Sequence, residues 1–206
     1  MFCLRNLCQK KPSHITAPKK LIKMLCISDL HDYDARLIEK IQQMEYDVCL
    51  LLGDIPHKAL LHIKRVNGDR PIYGICGNHD DWESLSRVGI TDIHCKAVEI
   101  CGVTIAGFSG SNRYKNGNYC MMTQKESIEA AKKIPPCDVF ISHDSVYKYQ
   151  LHPDNAHLGL KGISRYVSKH KPQMHLFGHY HQRAVYKKRG TLSICVYGVE
   201  IQYFME

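Results

Sequence analysis

Not one pair among the ten cysteines of this chain is spaced C-x-x-C, which excludes zinc ribbons and thioredoxin-type redox motifs. No run reaches the roughly 18 apolar residues of a membrane-spanning helix. Lys and Arg exceed Asp and Glu, 28 to 20, for a formal net charge of +8. No basic block or basic-aromatic stripe accompanies that excess, so a dedicated nucleic-acid-binding module is not indicated. The charge suits anionic partners such as nucleotides and other phosphate esters, and equally serves plain solubility. Internal repeats and low-complexity tracts are missing. The N-terminal MFCLRNLCQKKPSHITAPKKLIK is basic but has no continuous apolar core, so it does not read as a secretory leader. Residues 1–23 read as a basic arm, with Cys3 and Cys8 in it assigned neither lipid nor metal. Cys26, Cys49, Cys76 and Cys195 lie inside apolar runs, where a free thiol acts as a small hydrophobe. Scattered cysteines without a leader point to a reducing, cytoplasmic setting and to no membrane partner.

What is present is a globular composition, 44% hydrophobic and 23% charged over 206 residues, suited to one large domain over residues 24–206. Short apolar, β-branched runs read as strands covered on both faces: Met24–Ser28, Val48–Leu52, Ile72–Cys76, Val103–Phe108, Val139–Ser142 and Met174–Phe177. Thr191–Tyr197 and Glu200–Phe204 read as a final hairpin across Gly198. Helical spacing marks Asp34–Tyr46, Gly162–His170 and, more weakly, Pro56–Val66. Thr123-x-x-Glu126 is a capping box opening a helix to Ile134. Strand-helix alternation predicts an α/β sandwich. Residues 109–122 form one long irregular stretch, of the kind that is often functional.

The polar residues fall at the ends of the strands. The first runs into Asp29-Leu-His31, the second into Gly53-Asp54, the third into Gly77-Asn78-His79. Later ones end at His143 and at Gly178-His179-Tyr-His181. Ligands of open α/β sheets bind beyond the carboxyl ends of strands. Asp, Asn and His suit zinc, manganese and iron. D-x-H and H-x-H spacings put alternate side chains on one side of an extended segment.

In order, SDLH, GD, GNHD, SH and GHYH resemble the pattern of the calcineurin-like metallophosphoesterase family, from about Met24 to near the end. GSNRYKNG is similar to a loop of some small members, and the stretch from His157 to His181 resembles small bacterial, phage and animal relatives. The resemblance implies a single-domain, four-layer αββα sandwich and two divalent ions: manganese foremost, with zinc, iron, magnesium or nickel as alternatives. It implies Asp29, His31 and His181 on the first ion, Asn78, His143 and His179 on the second, and Asp54 bridging both. Two such ions ~3.5–4 Å apart activate a shared hydroxide for in-line attack on phosphorus. It further implies His79 as proton donor to the leaving group. The acid that often orients this His, three residues after the bridging Asp, is replaced here by His57, which reads as a surface residue.

Asp80 and Asp81 read as caps of a helix over Trp82–Val88. His157, Arg113 and Lys161 are candidate substrate contacts. The predicted activity is hydrolysis of a small, nucleotide-like phosphodiester, in a site kept open because the chain has little room for a cap domain. The alternatives are a nuclease acting on DNA or RNA and, in another class, a non-catalytic scaffold of the same fold.

Overall fold

The computed structural model describes residues 21–150, 153–188 and 190–205. The arm as far as residue 20, with Cys3 and Cys8, lies outside the described residues. In chain order the first half runs β1 (Leu21–Ser28), α1 (Ala35–Glu39) with a 3₁₀ turn at Lys40–Gln43, β2 (Val48–Leu51), α2 (His57–Asn67), β3 (Ile72–Gly74), α3 (Ser84–Arg87) and β4 (Thr91–Asp92). The second half runs β5 (Ala97–Ile100), β6 (Val103–Phe108), β7 (Ser111–Asn112), β8 (Met121–Met122), α4 (Gln124–Ala131), β9 (Val139–Ser142), α5 (Lys161–His170), β10 (Met174–Phe177), β11 (Ala184–Lys188), β12 (Thr191–Cys195) and β13 (Gly198–Met205).

Two sheets form. The first has strand order β13-β1-β2-β3-β4 and the second β11-β12-β10-β9-β6-β5, while β7 and β8 pair with each other. Strands β1–β4 are parallel, as are β6, β9, β10 and β12. Parallel strands need covered faces, and the period of two along each strand supplies two apolar faces. Leu25 and Ile27 pack with Ile38, Ile41, Leu60 and Ile63 of the helical layer over the first sheet. Met24, Cys26, Val48 and Leu50 face Ile105, Val139, Ile141 and Leu176 of the other sheet. Phe108 and Phe140 turn outward onto Ile163 and Tyr166 of α5. Helix, sheet, sheet, helix is therefore the layer order, as the family resemblance implies.

Several expectations are corrected. The arm drawn to residue 23 loses its last three residues to β1, whose Leu21 pairs with Met205. The final hairpin does not form. β12 pairs with β10 and β11 in the second sheet, while β13 crosses to β1 in the first. Gly198, at φ 78°, supplies the turn between them. The helix drawn over Asp34–Tyr46 is shorter and decays into the 3₁₀ turn. The capping box forms, with Thr123 Oγ1 accepting from the Glu126 amide and the Glu126 carboxylate accepting from the Thr123 amide.

Candidate metal centre

Every strand end singled out by the sequence reaches one place. Asp29 follows β1, Asp54 lies just past β2, and Asn78 follows β3 by a short turn. His143 directly follows β9, and His179 and His181 follow β10. Asp29, Asp54, His179 and His181 have φ of 56°, 56°, 72° and 48°. Left-handed backbone costs a non-glycine residue about 1–3 kcal/mol and clusters at functional sites. Here it bends each chain end inward as soon as the ladder stops.

Two clusters result. The ligand atoms of Asp29, His31 and His181 lie within 4.8 Å of one another, and so do those of Asp54, His143 and His179. His31, Asp54 and His79 form a third such group that shares Asp54. His31 Nε2 stands 2.8 Å from His181 Nε2, and His181 Nε2 stands 3.6 Å from Asp29 Oδ1. On the other side, His143 Nε2 lies 2.9 Å from Asn78 Oδ1 and 3.4 Å from Asp54 Oδ2.

The hydrogen bonds around the clusters leave specific atoms free. Asp29 Oδ2 accepts from the Ser28 hydroxyl and the His179 amide, while Oδ1 is buried without a partner. Asp54 Oδ1 accepts from the His79 amide, while Oδ2 is likewise buried and unpartnered. His143 Nδ1 faces the Leu52 carbonyl at 2.7 Å and His179 Nε2 faces the Ala156 carbonyl at 2.8 Å. A carbonyl only accepts, so each of those nitrogens carries the proton. The opposite nitrogen of each ring keeps its lone pair for a cation, the arrangement that usually orients metal-binding imidazoles. Two orphaned carboxylate oxygens beside such imidazoles fit divalent cations.

The electrostatics agree. Burial alone would raise the Asp54 carboxyl, but the His143 ring and the hydrogen bonds outweigh it and hold the group well below the usual carboxylate range. Burial would lower the His143 ring, and the Asp54 charge raises it instead. Burial drives His179 far below the ordinary imidazole value, and His143 adds to this. Asp54 and His143 thus stabilise each other's charge, and a cation bound between them would take the place of the imidazole proton.

Asn78 is buried, while the side chain of its neighbour His79 is 53% exposed. The His79 Nε2 is 4.0 Å from Asp54 Oδ2, and its ring meets that of His31 edge-on at 5.3 Å. Among the described residues no carboxylate other than Asp54 pairs with it, and His57 is an exposed residue opening α2.

Other expectations shift. Asp80 caps no helix. Its Oδ2 accepts from the amides of Gly77 and Asp54, at 2.7 and 2.8 Å, and so clamps the second and third strand-end loops together. Asp81 is not the cap of α3 either: the N-cap is Glu83, without a side-chain cap, and Asp81 accepts from the Glu83 amide just before the helix and pairs with Arg87 within it. Arg113 is drawn to Glu126 and the Met121 carbonyl. Lys161 lies over the Tyr147 ring at the start of α5. None of their contacts reaches the clusters. His157 does come close, its ring 4.7 Å from that of His179 and its Nδ1 held by Asp154. Tyr114, from the irregular stretch, was not foreseen. Its hydroxyl accepts from Asn78 Nδ2 at 3.1 Å, which keeps Asn78 Oδ1 turned to the cluster. Gly77 and Gly178 are required by close approach, since an added Cβ would fall 2.2 Å from Asp54 Oδ1 and 1.9 Å from Ser28 Oγ, respectively.

Comparison with known proteins gives a consistent result. The protein TT1561 of Thermus thermophilus superposes with a TM-score of 0.67 at 14% identity, covering 89% of this chain and 98% of its own. The phosphopantetheinyl hydrolase PptH from Mycobacterium tuberculosis gives 0.56 at 11%, covering 85% and 89%. A dimetal phosphatase from Danio rerio gives 0.55 at 10%, covering 86% and 87%. At these identities the likeness is one of fold. No curated protein matches the sequence. Residues 22–197 match the family model described as the calcineurin-like phosphoesterase superfamily domain.

Proposed function

The chain belongs to the calcineurin-like phosphoesterase superfamily, and on that premise we propose that it hydrolyses small, nucleotide-like phosphodiesters at a centre of two divalent cations. Asp29, His31 and His181 would hold one ion, Asn78, His143 and His179 the other, and Asp54 would contribute to both. The observation that carries this reading is the pair of buried, unpartnered oxygens, Asp29 Oδ1 and Asp54 Oδ2. Without a cation these two oxygens have no hydrogen-bond donor to replace the water they lost, only imidazoles at 3.4 and 3.6 Å. The cations supply Lewis-acid activation of water and neutralise charge on the phosphoryl oxygens.

The protein's own groups do the rest. The Leu52 and Ala156 carbonyls fix the His143 and His179 rings. Tyr114 fixes Asn78. His79 stands at the mouth of the cleft and donates a proton or hydrogen bond to the leaving-group oxygen, a role typically worth about 10²–10⁴-fold. The exposed faces of His31, His79 and His181 leave room for the second substituent of a diester. The carboxylate and amide oxygens suit manganese and the imidazoles suit zinc and iron as well, so manganese is proposed as one of several ions that this donor set accepts. Eight described cysteines stand as free thiols, which supports a reducing, cytoplasmic setting. Ester hydrolysis also accords with the structural likeness to a phosphopantetheinyl hydrolase of Mycobacterium tuberculosis and a dimetal phosphatase of Danio rerio.

Protein purified without chelator is expected to hold two ions per chain and to turn over model mono- and diesters with manganese, the diester faster. Asp54→Asn is expected to remove that turnover. Absence of turnover with either ester, together with Asp54→Asn behaving as wild type, overturns the proposal.

A further inference from the structure

Between β7 and β8 the chain makes an excursion, Arg113–Tyr119, whose base is tied to the metal centre. The Cys120 amide donates to the Asp80 carbonyl and the Arg113 amide to the Met122 carbonyl. Tyr114 touches Asn78. Beyond this base lies a concavity of about 290 Å³ lined by Trp82, Arg113, Lys115, Asn116, Asn118 and Tyr119 among others. That volume sits near the lower end of pockets for small organic ligands.

Its lining is unusual for a surface loop. Trp82 and Tyr119 are each 39% exposed. Trp82 rests edge-on against His94 at 5.3 Å, which braces the indole. Lys115 Nζ sits 4.1 Å from the Tyr119 ring centre and 5.3 Å from that of Tyr114. No carboxylate pairs with this ammonium among the described residues, unlike Arg113, which Glu126 occupies. Asn116 and Asn118 bring amide groups that both donate and accept. The Tyr114 hydroxyl meets the candidate ligand Asn78, and Lys115 Nζ lies over the side of that same ring, so the ammonium is tied to the edge of the metal centre.

We propose that this concavity is the base-binding subsite of the enzyme: a nucleobase stacks on Trp82 and Tyr119 while Lys115 takes the phosphate group that leads into the metal centre. Aromatic faces and unpaired cations are the usual platform for bases and their phosphates. Asn116 and Asn118 meet the base edge. Tyr114 accepts from Asn78, so its own hydroxyl proton is free to donate to the substrate. The subsite rests on the phosphoesterase reading above and adds which residues hold the base and the phosphate that leads into the centre.

Trp82 is the sole tryptophan of the chain beside twelve tyrosines, so fluorescence excited selectively at tryptophan reports on this subsite. The test titrates metal-loaded protein with the phosphonate analogues of AMP and of ribose 5-phosphate, whose C–P bonds resist hydrolysis. The AMP analogue is expected to quench Trp82 saturably and the ribose analogue to leave it unchanged. Lys115→Ala and Tyr119→Ala are each expected to weaken the AMP analogue by about tenfold, from the usual strength of base stacking and of phosphate contacts, while Tyr119→Phe, which keeps the ring, retains wild-type affinity. Equal quenching by both analogues, no saturable quench by the AMP analogue, or unchanged affinity in both alanine variants overturns the subsite. Hydrolysis plays no part in this readout. Turnover of simple esters without such quenching therefore removes the subsite and leaves the dimetal reading intact.

Discussion

Adding a single methyl group at Gly77 tests whether the loops exist to hold the cluster. Gly77 is not among the residues of positive φ, so alanine there carries no backbone strain. The whole effect comes from what the new Cβ meets: Asp54 Oδ1 at 2.2 Å, His143 Cε1 at 2.6 Å and Asp54 Cγ at 2.7 Å. Ordinary contact begins at 3.4 Å, so the carboxylate has to retreat by more than an ångström. It has nowhere easy to go. Its Oδ1 is bonded to the His79 amide, its own amide is bonded to Asp80, and the His143 ring is fixed by Leu52. Overpacking of this kind destabilises by about 1–3 kcal/mol, which lowers the melting temperature of a domain this size by about 2–4 °C per kcal/mol. The larger effect falls on the ions. Ligand distances tolerate about 0.2 Å, and disturbing even the groups behind the ligands costs about 10–100-fold in metal affinity. Gly68→Ala is the control. Gly68 has φ 63° and nothing within 4 Å of its added Cβ, so it is expected to lose about 1–3 kcal/mol from backbone strain alone and to keep both ions. The assay is metal content by mass spectrometry beside thermal melting. If Gly77→Ala retains two ions with wild-type affinity, the packing argument is wrong.

Three further changes probe separate parts of the design. Asp80→Ala strips the acceptor from the Gly77 and Asp54 amides; two orphaned donors cost about 1–3 kcal/mol each, and urea unfolding with a metal-competition titration is expected to show the loss, which Asp80→Asn largely restores. His175 is fully buried, and burial pushes its pKa down to about 3 from 6.5. The unfolded chain therefore takes up a proton near pH 6.5 that the folded one refuses until about pH 3, so stability is full above 6.5 and falls as pH drops through that window. The contribution approaches about 1.4 kcal/mol per pH unit, and His175→Gln is expected to show a shallower fall in urea midpoint between pH 7 and pH 5; equal slopes refute it. Thr123→Ala removes the capping box of α4 and is expected to cost about 1 kcal/mol in thermal stability with metal content unchanged.

The buried strands were legible because continuous apolar runs leave no other reading. Val103–Phe108, Val139–Ser142 and Met174–Phe177 form strands with those bounds. The ladder partners were not legible, since hydrogen-bond neighbours leave no mark on periodicity. Thr191–Tyr197 and Glu200–Phe204 read as neighbours and belong to different sheets. Short edge strands such as β5 and β11 carry half-exposed residues and give weak signals. In the site, side chains in fixed short spacings with Asp, Asn and His were readable before any coordinates. Tyr114 and Lys115 were not, because a loop has no period and their roles depend on where residues thirty or more positions earlier lie. Asp80 was misread because a carboxylate just before a helix usually caps it, whereas here two nearer amides from the strand-end loops lacked an acceptor.

The division of the candidate ligands between sheets has a consequence for assembly. Asp29, Asp54 and Asn78 extend from the first sheet, and His143, His179 and His181 from the second. Neither half of the chain supplies a whole site. The first sheet, moreover, stays unfinished until β13 returns to β1, a pairing of widely separated residues of the kind that forms slowly. Ions that bind across this seam act as rivets set after the plates are aligned. Such ions would need both sheets in place before they bind, and once bound would hold the two sheets together at the carboxyl ends of their strands.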